Sequence, residues 1–141
     1  MKRPYLSKTL INKIRTKAKE RCGYCQAPQH LLAVKLEIEH IIPLALGGNS
    51  NEKNLWLSCP SCNLYKGSKI KAIDPHSNKQ VSLYHPRNQK WSGHFKWSKD
   101  GTKIIGVTST GRATVAALKL NNELSETARR FWVLLGEFPP G

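Results

Sequence analysis

Two Cys-x-x-Cys pairs, Cys22/Cys25 and Cys59/Cys62, lie 33 residues apart and account for all 4 cysteines of the chain. Thiolates at this spacing suit a closed tetrahedral zinc site with Zn–S near 2.3 Å. Four sulfur ligands leave no open position for water, so such an ion would brace the fold and take no part in a reaction. Between the pairs lies Glu39-His40, and directly after the second pair comes Asn63. A carboxylate, an imidazole and an amide are groups that can hold a hard cation or move a proton. The sulfurs therefore read as a staple, and the residues beside them as reaction chemistry.

Those side chains need elements to position them. Over residues 7–20, Leu6, Leu10, Ile14 and Ala18 recur at helical spacing. Ser7 is the expected N-cap, and Lys8, Lys13, Arg15, Lys17 and Lys19 form a basic outer face. Cys22 to Cys25 reads as a knuckle, with Gly23 permitting a tight turn around the metal. Residues 35–42 are strand-like and end at Pro43; residues 46–54 are turn chemistry throughout; residues 55–58 can form a second strand. A short helix is expected over 63–69. Successive strand residues face opposite ways, so Glu39 and His40 can share a site only where the strand twists or ends.

Beyond residue 70, Pro75 and Pro86 break the chain into loop. A hairpin is expected over 94–97 and 103–107 around Asp100-Gly101, with a helix over 112–120. Leu124, Ala128, Phe131 and Leu135 mark a last amphipathic helix, stopped by Gly136. Trp56 is expected in the core, and Trp91 and Trp97 on an apolar hairpin face with His94 packed among them. His30, His76 and His85 read as structural, and Arg129 and Arg130 as solvated. The expected organisation is an N-terminal helix and core over 1–70, with a hairpin and helical extension over 71–141 packed on it.

The net charge is +14, and its distribution matters more than its size. Residues 1–21 carry 8 Lys/Arg against 1 acid, and residues 61–103 carry 9 against 2. The stretch between has Lys35 and Lys53 against Glu37, Glu39 and Glu52. Cationic flanks around a near-neutral centre suit a cation site whose surroundings grip a polyanion. No apolar run approaches the ~18 residues of a membrane span. A soluble, cytoplasmic protein is expected, in which paired cysteines bind zinc before they form disulfides.

Glu39-His40 with Ile41-Ile42-Pro43, Gly47-Gly48, Asn54-Leu55 and Cys62-Asn63-x-x-Lys66 resembles the HNH family of ββα-metal endonucleases, in its four-cysteine zinc form and stand-alone bacterial type. The intervals are similar too, 14 residues from His40 to Asn54 and nine from there to Asn63. The likeness covers about residues 22–67. It implies an α+β fold with a ββα-metal core, and hydrolysis of DNA phosphodiester bonds, most naturally in double-stranded DNA. His40 would be the general base, Asn54 would brace the loop, and Glu39 and Asn63 would hold the catalytic cation. Lys66 would steady a neighbouring phosphate. Glu39 stands where the family commonly has Asp, and Asn63 where it often has His. Oxygen donors favour Mg2+ or Mn2+ over softer ions. The rival expectation is a zinc-knuckle nucleic-acid-binding module without catalysis, which would have no need for a base at position 40. One site per chain would nick, so cutting both strands would call for a dimer or a protein partner.

Overall fold

The computed structural model describes residues 5–140. Lys2 and Arg3 of the expected basic flank lie outside the described residues. The chain divides into two compact units, Met1–Ser68 and Lys69–Gly141. No helix among the described residues is long and apolar enough to cross a membrane.

The first unit begins with helix α1, Lys8–Lys17, whose Ser7 side chain accepts the Leu10 N–H as an N-cap. Ile14 and Ala18 are buried on its inner side. Its basic face is less uniform than the sequence suggests. Arg15 is half-buried and donates to the Leu36 carbonyl at 2.6 Å. Lys13 and Lys17 reach Glu52 at 3.1 and 3.5 Å, tying the helix to the loop. After the first cysteine pair come strand β1, Glu37–His40, and strand β2, Leu55–Ser58, paired antiparallel with His40 opposite Leu55 and Glu37 opposite Ser58. Helix α2, Pro60–Lys66, starts earlier than expected, with Cys59 as its N-cap and Pro60 in its first turn. This is the expected strand, loop, strand and helix.

The register gives β1 and β2 two distinct faces. Ile38, His40, Leu55 and Leu57 share one; both leucines are fully buried. Glu37, Glu39, Trp56 and Ser58 share the other, and two side chains of α2 reach it, Asn63 by a hydrogen bond to Glu37 and Lys66 by an ion pair with Glu39.

The second unit contains a hairpin that the sequence reading lacks. Strands β3, Lys71–Ile73, and β4, Gln80–Ser82, pair antiparallel. Three-residue strands around a Pro-containing turn have too little pattern to be seen in advance. The expected hairpin is present as β5, Phe95–Trp97, and β6, Ile104–Gly106. Helices α3, Ser109–Ala117, and α4, Glu123–Leu134, follow. Trp91 stacks on Trp97 at 4.9 Å, and Phe138 stands edge-on to Trp97 at 4.8 Å and Trp132 at 5.2 Å. Two expectations fail here. Arg129 is buried, not solvated, and donates to the carbonyls of Thr102 and Leu120 and to Asn121 Oδ1. The stripe of Leu124, Phe131 and Leu135 does not face a core: these side chains are 83%, 61% and 69% exposed.

Candidate active site

All four cysteines are buried and unbridged, and their sulfurs lie within 4.8 Å of one another. A tetrahedron with Zn–S of 2.3 Å spaces its sulfurs about 3.8 Å apart; Cys25 Sγ stands 3.7 Å from Cys59 Sγ. That distance fits ligands around an ion and is far beyond a disulfide bond. Burial opposes charge on Cys22, yet hydrogen bonds from its three neighbours outweigh it and lower its pKa well below the thiol range. Hydrogen bonding to Cys22 pushes Cys25 and Cys62 well above it. Four thiolates together require a cation, and the donor set is that of structural zinc.

The knuckle is built by main-chain contacts. Cys22 donates to the Ala27 carbonyl, Gln26 donates back to Cys22, and Gly23 donates to Leu57 of β2. The left-handed residue of this turn is Gln26, at φ 66°, and not Gly23. Cys59 and Cys62 sit at the start of α2, one as N-cap and one in the first turn. The sulfur cluster thus fixes the end of β2 and the start of α2 beside the first knuckle.

Glu39 is 2% exposed on the α2 side of β1. Its Oε1 accepts from the Tyr24 hydroxyl at 2.7 Å and lies 3.7 Å from Lys66 Nζ. Its Oε2 is buried without a hydrogen-bond partner. Burial pushes the carboxyl up to about 7, against the opposing pull of Lys66 and Tyr24. Tyr24, itself buried and beside Glu39, is held well above the usual phenol range and so stays a donor. A buried carboxylate oxygen with no donor is the acceptor a cation would satisfy, so Glu39 fits the expected ligand role.

Asn63 occupies the same side of the strand one turn earlier on α2. Its Nδ2 donates to Glu37 Oε1 at 3.2 Å, and its Oδ1 accepts nothing from the described residues. The sequence reading missed Glu37, although its place two residues before Glu39 on a strand puts both carboxylates on one face. Lys66 is not available as the expected phosphate contact. It is 3% exposed, and its ammonium is turned inward to the carbonyls of Ile41 at 2.9 Å and His40 at 3.5 Å as well as to Glu39.

His40 ends β1 on the other face, half-buried, and its Nε2 lies 3.0 Å from Ser50 Oγ. Ser50, also missed, belongs to the loop between the strands. Asn54 clamps that loop. Its Oδ1 accepts the Ile42 N–H at 2.8 Å, and its Nδ2 donates to the carbonyls of Ile42 at 3.0 Å and Asn49 at 2.7 Å. The loop needs both glycines: Gly47 sits at φ +85°, and a Cβ on Gly48 would lie 1.8 Å from the Ile42 carbonyl oxygen. Glu39, Lys66 and the His40 main chain therefore meet at the end of β1. Asn63 is held by Glu37 on the same face of β1, and the His40 ring departs towards Ser50 on the other.

Residues 22–69 match the family described as HNH endonuclease. The chain is 28% identical over 121 residues to the Septu protein PtuB of Bacillus thuringiensis, an alignment covering 84% of this chain and 42% of that protein. The chain thus spans about two fifths of that relative's length. No solved structure matches it.

Proposed function

We propose that this protein is a metal-dependent endonuclease that hydrolyses DNA, with double-stranded DNA as its substrate, a reading supported by the match of residues 22–69 to the HNH endonuclease family. The observation that carries the reading is His40, set at the end of β1 where Asn54 clamps the following turn through three side-chain hydrogen bonds. The imidazole takes the proton from the attacking water. A neutral imidazole offers the nitrogen lone pair that a base needs. Ser50 holds the ring, and Asn54 holds the loop that carries Ser50.

Glu39 and Asn63 are the cation's ligands in this reading, supported by the unpartnered Glu39 Oε2 and the open Asn63 Oδ1. Oxygen donors suit Mg2+ or Mn2+, and an ion held there would supply polarisation of the scissile phosphate and charge stabilisation for the leaving oxygen. Exposed Lys8 and Lys19 on and beyond α1, and the net charge of +14, supply attraction to the phosphate backbone. Such contacts position DNA without reading its sequence.

One observation favours the rival, a zinc-braced binder without catalysis: Lys66 already stands against Glu39 as a built-in cation. Incubating plasmid with wild-type protein and His40→Ala, each with Mg2+ or Mn2+, separates the two. The expected result is nicking or linearisation by wild type, and DNA retention without cutting by the variant. A wild type that binds but never cuts supports the binder, and cutting by the variant at the wild-type rate removes His40 as base.

A further inference from the structure

Glu37 has no role in the proposed chemistry, yet it makes the one side-chain hydrogen bond of Asn63 seen among the described residues. An ionised carboxylate can only accept, so the amide group it holds must turn its nitrogen inward and its oxygen outward. An amide that flipped would offer two N–H groups to a cation and repel it. We propose that Glu37 is a positioning residue that locks the Asn63 amide in the cation-binding orientation. The inference rests on the proposed function, since it presumes a divalent ion at Asn63.

The test is titration of the zinc-loaded protein with Mn2+, read by calorimetry or by the electron paramagnetic resonance of free Mn2+. Outer partners of metal ligands typically contribute 10- to 100-fold in affinity. Glu37→Ala should weaken binding by about that factor, and Glu37→Gln, which keeps an acceptor, should largely restore it. In an Asn63→Asp background no amide needs orienting and two carboxylates repel, so Glu37→Ala should there leave affinity unchanged or raise it. Equal affinity for wild type and Glu37→Ala, or the same loss in both backgrounds, overturns the proposal. Absence of any Mn2+ site in wild type would instead overturn the functional reading beneath it.

A separate observation concerns α4. Leu124, Phe131, Leu134 and Leu135 are 83%, 61%, 78% and 69% exposed, a contiguous apolar stripe with the small side chain of Ala128 at its middle. Stripes of this kind mark interaction faces. Glu123, at the start of the helix, and Arg130, in its second half, flank it on the same side. In an antiparallel two-fold pairing, residues on one flank meet the same flank of the copy. Leu124 of each copy then lies against Phe131 of the other, with Glu123 beside Arg130 and the helix dipoles opposed. The geometry points to a second copy of this chain as the occupant, giving the two sites that cutting both strands requires.

Sedimentation across a concentration series tests this. Wild type should dimerise, Leu124→Glu with Phe131→Glu should not, and both should show the same helical circular dichroism. Glu123→Arg and Arg130→Glu should each weaken the dimer at least several-fold, and their combination should restore it. A wild type monomeric throughout overturns the proposal, as does a dimer indifferent to all these changes.

Discussion

Among the described residues each unit buries one carboxylate, and the two are treated in opposite ways. Asp74 in the second unit is fully buried, with the Arg112 guanidinium on it at two 2.9 Å contacts and further donors from His76 and Ser77. The hydrogen bonds of Arg112 foremost hold it well below the carboxylate range. Glu39 in the first unit has a phenol and a distant ammonium on one oxygen and nothing on the other, and burial pushes it up to about 7. A satisfied carboxylate is a structural tie. An unsatisfied one is an acceptor waiting for charge, and it stands within residues 22–69, the stretch that matches the HNH endonuclease family. The same contrast runs through the surroundings: the second unit packs rings against one another, whereas the first buries four thiols and a lysine beside the aliphatic side chains of Ile14, Leu55 and Leu57.

The largest effect that sharpens the contrast is zinc removal. Structural zinc supplies about 10–16 kcal/mol of apparent binding free energy in small peptides. A strong chelator should therefore unfold the first unit while the aromatic cluster of the second persists, as read by Trp56 against Trp91, Trp97 and Trp132 in single-tryptophan variants. Simultaneous loss of all four signals would break the comparison. Next come the carboxylates themselves. Glu39→Gln should hold or raise the stability of the zinc-loaded protein, because it removes a desolvated charge, yet lower Mn2+ affinity at least ~10-fold. Asp74→Asn should destabilise the second unit, because it weakens the anchor of Arg112, and leave Mn2+ binding alone.

Acid follows from the sign of the Asp74 shift. Its folded pKa lies below its unfolded value of ~3.9, so its contribution is fully present above that pH and is lost as pH falls below it. The second unit should soften in that window, and Asp74→Asn should flatten the response in a pH series of thermal melts. The last change, Gly48→Ala, leaves both carboxylates in place and acts on the loop. The added Cβ would meet the Ile42 carbonyl, so the loop holding Ser50 must shift, and cleavage and melting temperature should fall together.

What could be read in advance was local. The cysteine spacing, the Ser7 cap, the paired strands around residues 37–58 and the bracing role of Asn54 depend on neighbours in the chain or on a compact motif. What escaped depends on distant partners. The Tyr24 hydroxyl on Glu39, the Glu37 carboxylate on Asn63 and the inward turn of Lys66 come from the way α2 lies along β1, which no residue pattern states. Arg129 has the composition of a surface residue and is buried because three acceptors happen to surround it. The α4 stripe has the period of a core-facing helix, and period alone cannot say whether the core is its own or another molecule's.

The most direct measurement is anomalous scattering at the manganese edge from crystals of the zinc-loaded protein soaked in Mn2+. A peak bonded by Glu39 Oε2 and Asn63 Oδ1, distinct from the zinc among the four sulfurs, is the expected result. Manganese found only elsewhere, with Lys66 still seated against Glu39, would contradict the account.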